Sequence, residues 1–194
     1  MNQEKVMSTR TLVLCAILSA LVFVLQFLGS FIRFGPFSVS LVLVPIVIGA
    51  ASCSSAAGAW LGLVFSIAVF LSGDATAFLA VSVPGTILTV LAKGIACGYV
   101  AGLVYNALKE KNQWLAVIFA ALVCPVVNTG IFLIGCRIFF WDTLAAWGAE
   151  LGFQKITEYI LFGMIGGNFL FELVTNMILS PVIVRLLKTQ ERRS

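Results

Sequence analysis

Apolar residues run along this chain in long unbroken blocks, and short polar interruptions separate them. The first block extends from about Thr11 to Phe31, and the turn Arg33–Pro36 (RFGP) closes it. The second, Val39–Ala51, is short and ends in the small, polar patch ASCSSAAG. The third, Ala56–Leu71, is also short and is broken by SGDA, Ser72–Ala75. A fourth starts near Pro84, where proline suits a first helical turn, and reaches about Tyr105. Lys109, Glu110 and Lys111 form the next loop. The fifth block covers about Trp114–Leu133. A mixed segment follows, Gly135–Glu158, holding Arg137, Asp142, Glu150, Lys155 and Glu158. The sixth covers about Ile160–Leu187, before the polar tail QERRS.

A membrane-crossing helix needs about 20 apolar residues. The pattern therefore predicts an all-α integral membrane protein. It forms a single domain over 1–194 with six transmembrane helices at about 11–31, 39–51, 56–71, 84–105, 114–133 and 160–187. Spans two and three are short and interrupted. Loose backbone at membrane depth is tolerated where protein or a cavity covers it, so these spans suggest a ligand chamber rather than a plain anchor.

Composition strengthens this reading. The chain is 61% hydrophobic and only 10% charged, against about 25% charge in a soluble domain. The first ten residues, MNQEKVMSTR, are polar and lead into the first span without a convincing cleavage site, so that span is expected to be retained. The net charge of +4 matters by location and is not a nucleic-acid signal. Six spans put both termini on one side. Lys5, Arg10, Lys109, Lys111, Arg185, Lys188, Arg192 and Arg193 then share a side, whereas Arg33, Arg137 and Lys155 face the other. The positive-inside rule makes the richer side, and both termini, cytoplasmic. Arg33–Phe37, Ser72–Val83 and Gly135–Glu158 become external loops.

Against this apolar background a few polar residues stand out. Lys93 lies near the middle of span four, where a charge costs roughly 2.5–3.5 kcal/mol on insertion scales and demands a partner. In NFLFELVTN, Asn168, Glu172 and Asn176 recur every four residues and share a helix face. Glu172 is the natural partner of Lys93. Two readings stay open: a structural ion pair with amides joining helices, or a lining for a solute chamber. Asn128, in CPVVNTG, is a further intramembrane amide, with Pro125 and Gly130 nearby to free backbone carbonyls. Asp74 follows a glycine in an external loop, where it either caps the loop or meets a ligand. Ala16 and Ala20, Gly58 and Gly62, and Gly94 and Gly98 are small-xxx-small pairs that let helices approach closely.

Other chemistry is sparse. There is no histidine, which removes the usual general base and metal ligand. Cys15, Cys53, Cys97, Cys124 and Cys136 form no CxxC pair and read as small hydrophobes. No phosphate loop, HExxH or GxGxxG is present, so no bound cofactor, metal or ATP hydrolysis is expected of this chain.

Over residues 9–188 the sequence resembles the substrate-binding S components of energy-coupling factor (ECF) transporters, the prokaryotic vitamin importers. The resemblance is carried by AILSA, by GPFSVSLVLVPIVIGASCSSAAGAWLGLVF, by FLSGDATAFLAVSVPGTILTVLAKG and by CPVVNTGIFLIG. It implies a compact six-helix bundle in the prokaryotic cell membrane, with both termini cytoplasmic, binding a vitamin near the outer face under the external loops. It also implies partners: a transmembrane coupling subunit, met by an alanine-x-x-x-alanine motif that falls on Ala16 and Ala20, and two cytoplasmic ATPases. The chain departs from many relatives at Ser52–Ser55, where a glycine–proline–lysine turn is common. Related proteins take riboflavin, folate, pantothenate, thiamine or biotin. Lys93, Arg137 and Arg33 suit a carboxylate-bearing solute, which favours pantothenate or folate over riboflavin. The expected substrate-binding residues are Asp74, Lys93, Asn128, Arg137, Asn168, Glu172 and Asn176. The alternative is a small autonomous secondary transporter or channel that uses Lys93 and Glu172 in ion coupling. A membrane enzyme or an assembly subunit is a weaker reading.

Overall fold

Each apolar block forms a helix in the computed structural model, which describes residues 9–31, 33–34, 37–38 and 41–191. Helix α1 is Thr9–Ser30. A two-residue antiparallel pair follows, β1 (Arg33–Phe34) against β2 (Phe37–Ser38). Gly35 and Pro36, the centre of the expected RFGP turn, lie outside the described residues, as do residues 1–8 and 192–194. Then come α2 (Leu43–Ser52), α3 (Ser55–Leu71), a short α4 (Thr76–Leu79), α5 (Val83–Leu108), α6 (Gln113–Phe139), α7 (Trp141–Glu150) and α8 (Ile156–Glu158). A π-helical turn, Tyr159–Ile165, feeds α9 (Gly166–Glu191).

Helix boundaries have local causes. Ser54 begins α3 by accepting from the Ala57 N–H at 3.1 Å. Ser82 does the same for α5 from Gly85 at 3.3 Å, with Pro84 just inside the helix. The Asn112 side chain accepts from Trp114 at 2.9 Å and Leu115 at 3.3 Å to start α6. Such caps satisfy N–H groups that have no carbonyl one turn earlier. The SCSS departure therefore keeps a working turn, with Ser54 as the cap.

Among the described residues, four helical stretches are long and apolar enough to cross a membrane: Thr9–Ser30, Val83–Leu108, Gln113–Phe139 and Ile156–Arg185. At about 1.5 Å per residue, α2 reaches only about 15 Å and α3 about 25 Å, against a hydrocarbon thickness of about 30 Å. Helix α1 is apolar on both its faces. Leu18 and Val22 are buried, while Leu12, Val13, Ile17, Leu21, Val24 and Leu28 are exposed. A helix apolar all round belongs in lipid rather than water. This is a membrane protein.

The segment Gly135–Glu158, expected as an external loop, is largely helical. Helix α6 continues to Phe139, and α7 follows at once. The apolar faces of α7 and α4 explain the difference. They pack Leu144 and Phe78 into a satellite cluster with Cys136, Phe140, Tyr159 and Met164, and that burial orders a stretch whose charges look loop-like in sequence.

The main core joins α1, α2, α3, α5, α6 and α9, with Val22, Leu43, Ile46, Leu61, Phe65 and Ile183 fully enclosed. Its tightest seam is α3 against α5, where the two glycine pairs meet. A methyl at Gly62 would strike the Gly94 carbonyl, and one at Gly98 the Gly58 carbonyl. Above them the buried Ser66 hydroxyl donates across the seam to the Val90 carbonyl at 2.8 Å. Small residues allow this approach, and in lipid close packing and interhelical hydrogen bonds hold helices together.

Candidate functional site

A cavity of about 100 Å³ opens at the end of the bundle where α1, α3 and α6 finish and α5 and α9 begin. Each wall comes from an identifiable stretch. Gln26 is near the end of α1. Asp74 and Ala75 lie in the link after α3, and Phe78 on α4. Thr86, Thr89, Val90 and Lys93 form one stripe of α5, at the i, i+3, i+4, i+7 spacing of a single helix face.

Helix α6 contributes Asn128, Thr129 and Phe132. The π turn contributes Met164 and Ile165, and the start of α9 adds Phe169 and Glu172. Glycine at 166 fits the π turn, because its N–H bonds to the Leu161 carbonyl and a Cβ there would lie 2.6 Å from that oxygen. Such turns widen a helix locally and recur at functional sites.

The polar groups interlock. The Gln26 amide nitrogen donates to Asp74 Oδ2 at 2.7 Å and to Ser72 Oγ at 3.3 Å, tying the mid-sequence loop to α1. The Lys93 ammonium sits 5.3 Å from the Phe65 ring centre and 5.4 Å from that of Phe132. Each cation–π contact is worth about 0.5–2 kcal/mol, the upper end where water is excluded. Glu172 and Asp74 line the same cavity as Lys93. Three residues on the cavity wall each hold a buried oxygen with no hydrogen-bond partner: Gln26 Oε1, Thr89 Oγ1 and Asn128 Oδ1.

Part of the wall is aromatic. Phe78 packs edge-on against Phe132, Phe140 and Trp147, with ring centres 5.6, 5.0 and 5.7 Å away, and of these Phe78, Phe132 and Phe140 line the cavity.

Of the residues expected from sequence, Asp74, Lys93, Asn128 and Glu172 line this cavity. Asn176 is buried one turn beyond Glu172, and its side chain donates back to the Glu172 carbonyl at 2.8 Å. Ser180 repeats the motif to the Asn176 carbonyl at 2.8 Å. The Asn168 side chain lies outside the described residues. Arg137 is exposed, away from the cavity, with its guanidinium 4.5 Å from the Trp141 ring centre. Sequence reasoning missed Gln26, although a lone amide in LVFVLQFLG is as conspicuous as Asn128. It also missed Thr86 and Thr89, which share the helical stripe of Lys93.

Elsewhere, Ala16 and Ala20 are exposed on α1. Cys15 and Cys53 bring their sulfurs to 4.0 Å between α1 and the α2–α3 turn, and all five cysteines are free. Among the described residues no three His, Cys, Asp or Glu side chains group as a metal site.

Residues 10–186 match the family model described as "ECF transporter, substrate-specific component". No curated protein and no solved structure matches the chain.

Proposed function

From the premise that this chain belongs to the substrate-specific components of ECF transporters, we propose that it binds a water-soluble vitamin with high affinity and delivers it into the cell as the S component of an ATP-driven importer. The observation that carries the proposal is the cavity, lined by residues from several helices that hold buried polar atoms without partners. In this reading the chain is a multi-pass protein of a prokaryotic cell membrane. Its six helices place both termini in the cytoplasm, as the distribution of lysine and arginine favours. The cavity end is then the outer end, since α1, α3 and α6 all finish there.

The chain itself is non-catalytic. Ala16 and Ala20, small and exposed on α1, meet the transmembrane coupling subunit, and two cytoplasmic ATPases drive the cycle. A pantothenate or folate carboxylate was expected to meet Lys93, Arg33 and Arg137. Arg137 stands on Trp141 outside the cavity, and Lys93 shares the cavity with Glu172 and Asp74. Support for a carboxylate solute is reduced to that extent.

Reconstitution tests the proposal. Liposomes holding this chain, the coupling subunit and both ATPases should accumulate vitamin only with internal ATP, and the chain alone should not. Vitamin flux through the chain alone, driven by an ion gradient, would replace this account with a secondary transporter built on Lys93 and Glu172.

A further inference from the structure

The orphaned acceptors restrict what the cavity can hold. Gln26 is 1% exposed. Its amide nitrogen donates to Asp74 Oδ2 at 2.7 Å, and Oε1 is left without a donor. Asn128, 4% exposed on α6, leaves Oδ1 in the same state, and Thr89, 4% exposed on α5, leaves its hydroxyl oxygen. Three helices thus bring to one cavity wall residues that each hold a buried oxygen without a partner. Buried acceptors without donors are costly, and a bound donor removes that cost.

The charges point the same way. By formal count the lining holds one ammonium, Lys93, and two carboxyl groups, Asp74 and Glu172. The ammonium already sits against two aromatic faces and shares the lining with both carboxyl groups. A solute carboxylate would set its oxygens against amide oxygens and like charges. The aromatic wall, with Phe132 and Phe140 set edge-on to Phe78, offers ring surfaces to a flat body.

We infer that the solute is a flat, carboxylate-free heterocycle, neutral or singly cationic, that donates N–H hydrogen bonds to Gln26 and Asn128. This rests on the vitamin-binding reading and narrows it.

The test is calorimetric titration of the purified full chain with five probes. Thiamine and riboflavin carry N–H donors and no carboxylate, whereas pantothenate and biotin carry one carboxylate and folate two. Binding is expected from a carboxylate-free member alone. Asn128→Leu should weaken it roughly tenfold or more, since a buried donor loses its acceptor. Asn128→Asp keeps the acceptor, adds negative charge and should shift preference towards cationic thiamine. Tight binding of a carboxylate-bearing member with no binding of the others overturns the inference and leaves the vitamin reading standing. So does loss of binding in a folded Asn128→Asp variant, which would show that Asn128 donates to the solute. Carboxylate-free binding indifferent to Asn128→Leu also overturns it, by placing the solute elsewhere. Binding of none of the five removes the vitamin reading and the inference together.

Discussion

Substituting Glu172→Gln isolates the charge relation at the base of the cavity. Glu172 is 5% exposed and lines the cavity together with Lys93, which makes it the candidate partner of the ammonium. Removing one member of a buried ion pair costs about 3–5 kcal/mol, because the remaining charge is left uncompensated. Here the loss is partly cushioned. Lys93 keeps Asp74 on the same cavity lining and the faces of Phe65 and Phe132, each ring contact worth about 0.5–2 kcal/mol. The lower end, about 3 kcal/mol, is therefore expected. Lys93→Met combined with Glu172→Gln removes both charges and should recover most of the loss, giving a coupling of at least about 1 kcal/mol in the double-mutant cycle. Unfolding of the solute-free protein in detergent, followed by helical circular dichroism, supplies the four stabilities. A single variant within about 0.5 kcal/mol of the parent, with additive effects, would refute the pairing. The folded double variant then answers a second question. Weak vitamin binding places these groups against solute, whereas unchanged affinity removes both from the site.

The α3–α5 seam should be equally sensitive. Gly62→Leu and Gly98→Leu set side chains against carbonyls of the facing helix and should each cost about 1–3 kcal/mol or more in the same unfolding assay. Gly130→Ala is the control: its added methyl meets nothing within 4 Å, so stability should hold or rise by up to about 1 kcal/mol from helix propensity. Ala16→Leu or Ala20→Leu should leave vitamin binding by the isolated chain intact and lower transport by the reconstituted complex, and joint loss of folding and binding would instead place the pair inside the bundle. In a cysteine-free background, a thiol placed at the exposed Glu150 should react with an impermeant reagent from outside and one at exposed Lys111 should not, with the reverse pattern inverting the topology.

Helix positions were legible because lipid imposes long apolar blocks and because Ser54, Ser82 and Asn112 are good caps at the right places. The glycine pairs were also legible, though not their mutual docking, since small-xxx-small spacing identifies a face and not its partner. Helix α7 was hidden, because Asp142 and Glu150 give its stretch a loop-like composition while Leu144 and Gly148 are buried. Of the polar face in NFLFELVTN, Glu172 reaches the cavity and Asn176 turns back to its own helix. Four-residue spacing cannot distinguish those fates, because an amide can bond to the carbonyl one turn earlier. Arg137 was drawn into the expected site by its charge alone, and its exposure beside Trp141 is a tertiary fact that spacing does not encode.

The central claim is that this chain alone holds one vitamin molecule in the cavity lined by Gln26, Lys93, Asn128 and Glu172. Native mass spectrometry of the protein purified from vitamin-supplied membranes tests it most directly. The account predicts a single added mass per chain that matches a vitamin and is lost in the folded Gln26→Leu variant. A chain that retains no vitamin, or one whose bound vitamin is unaffected by that substitution, would contradict it.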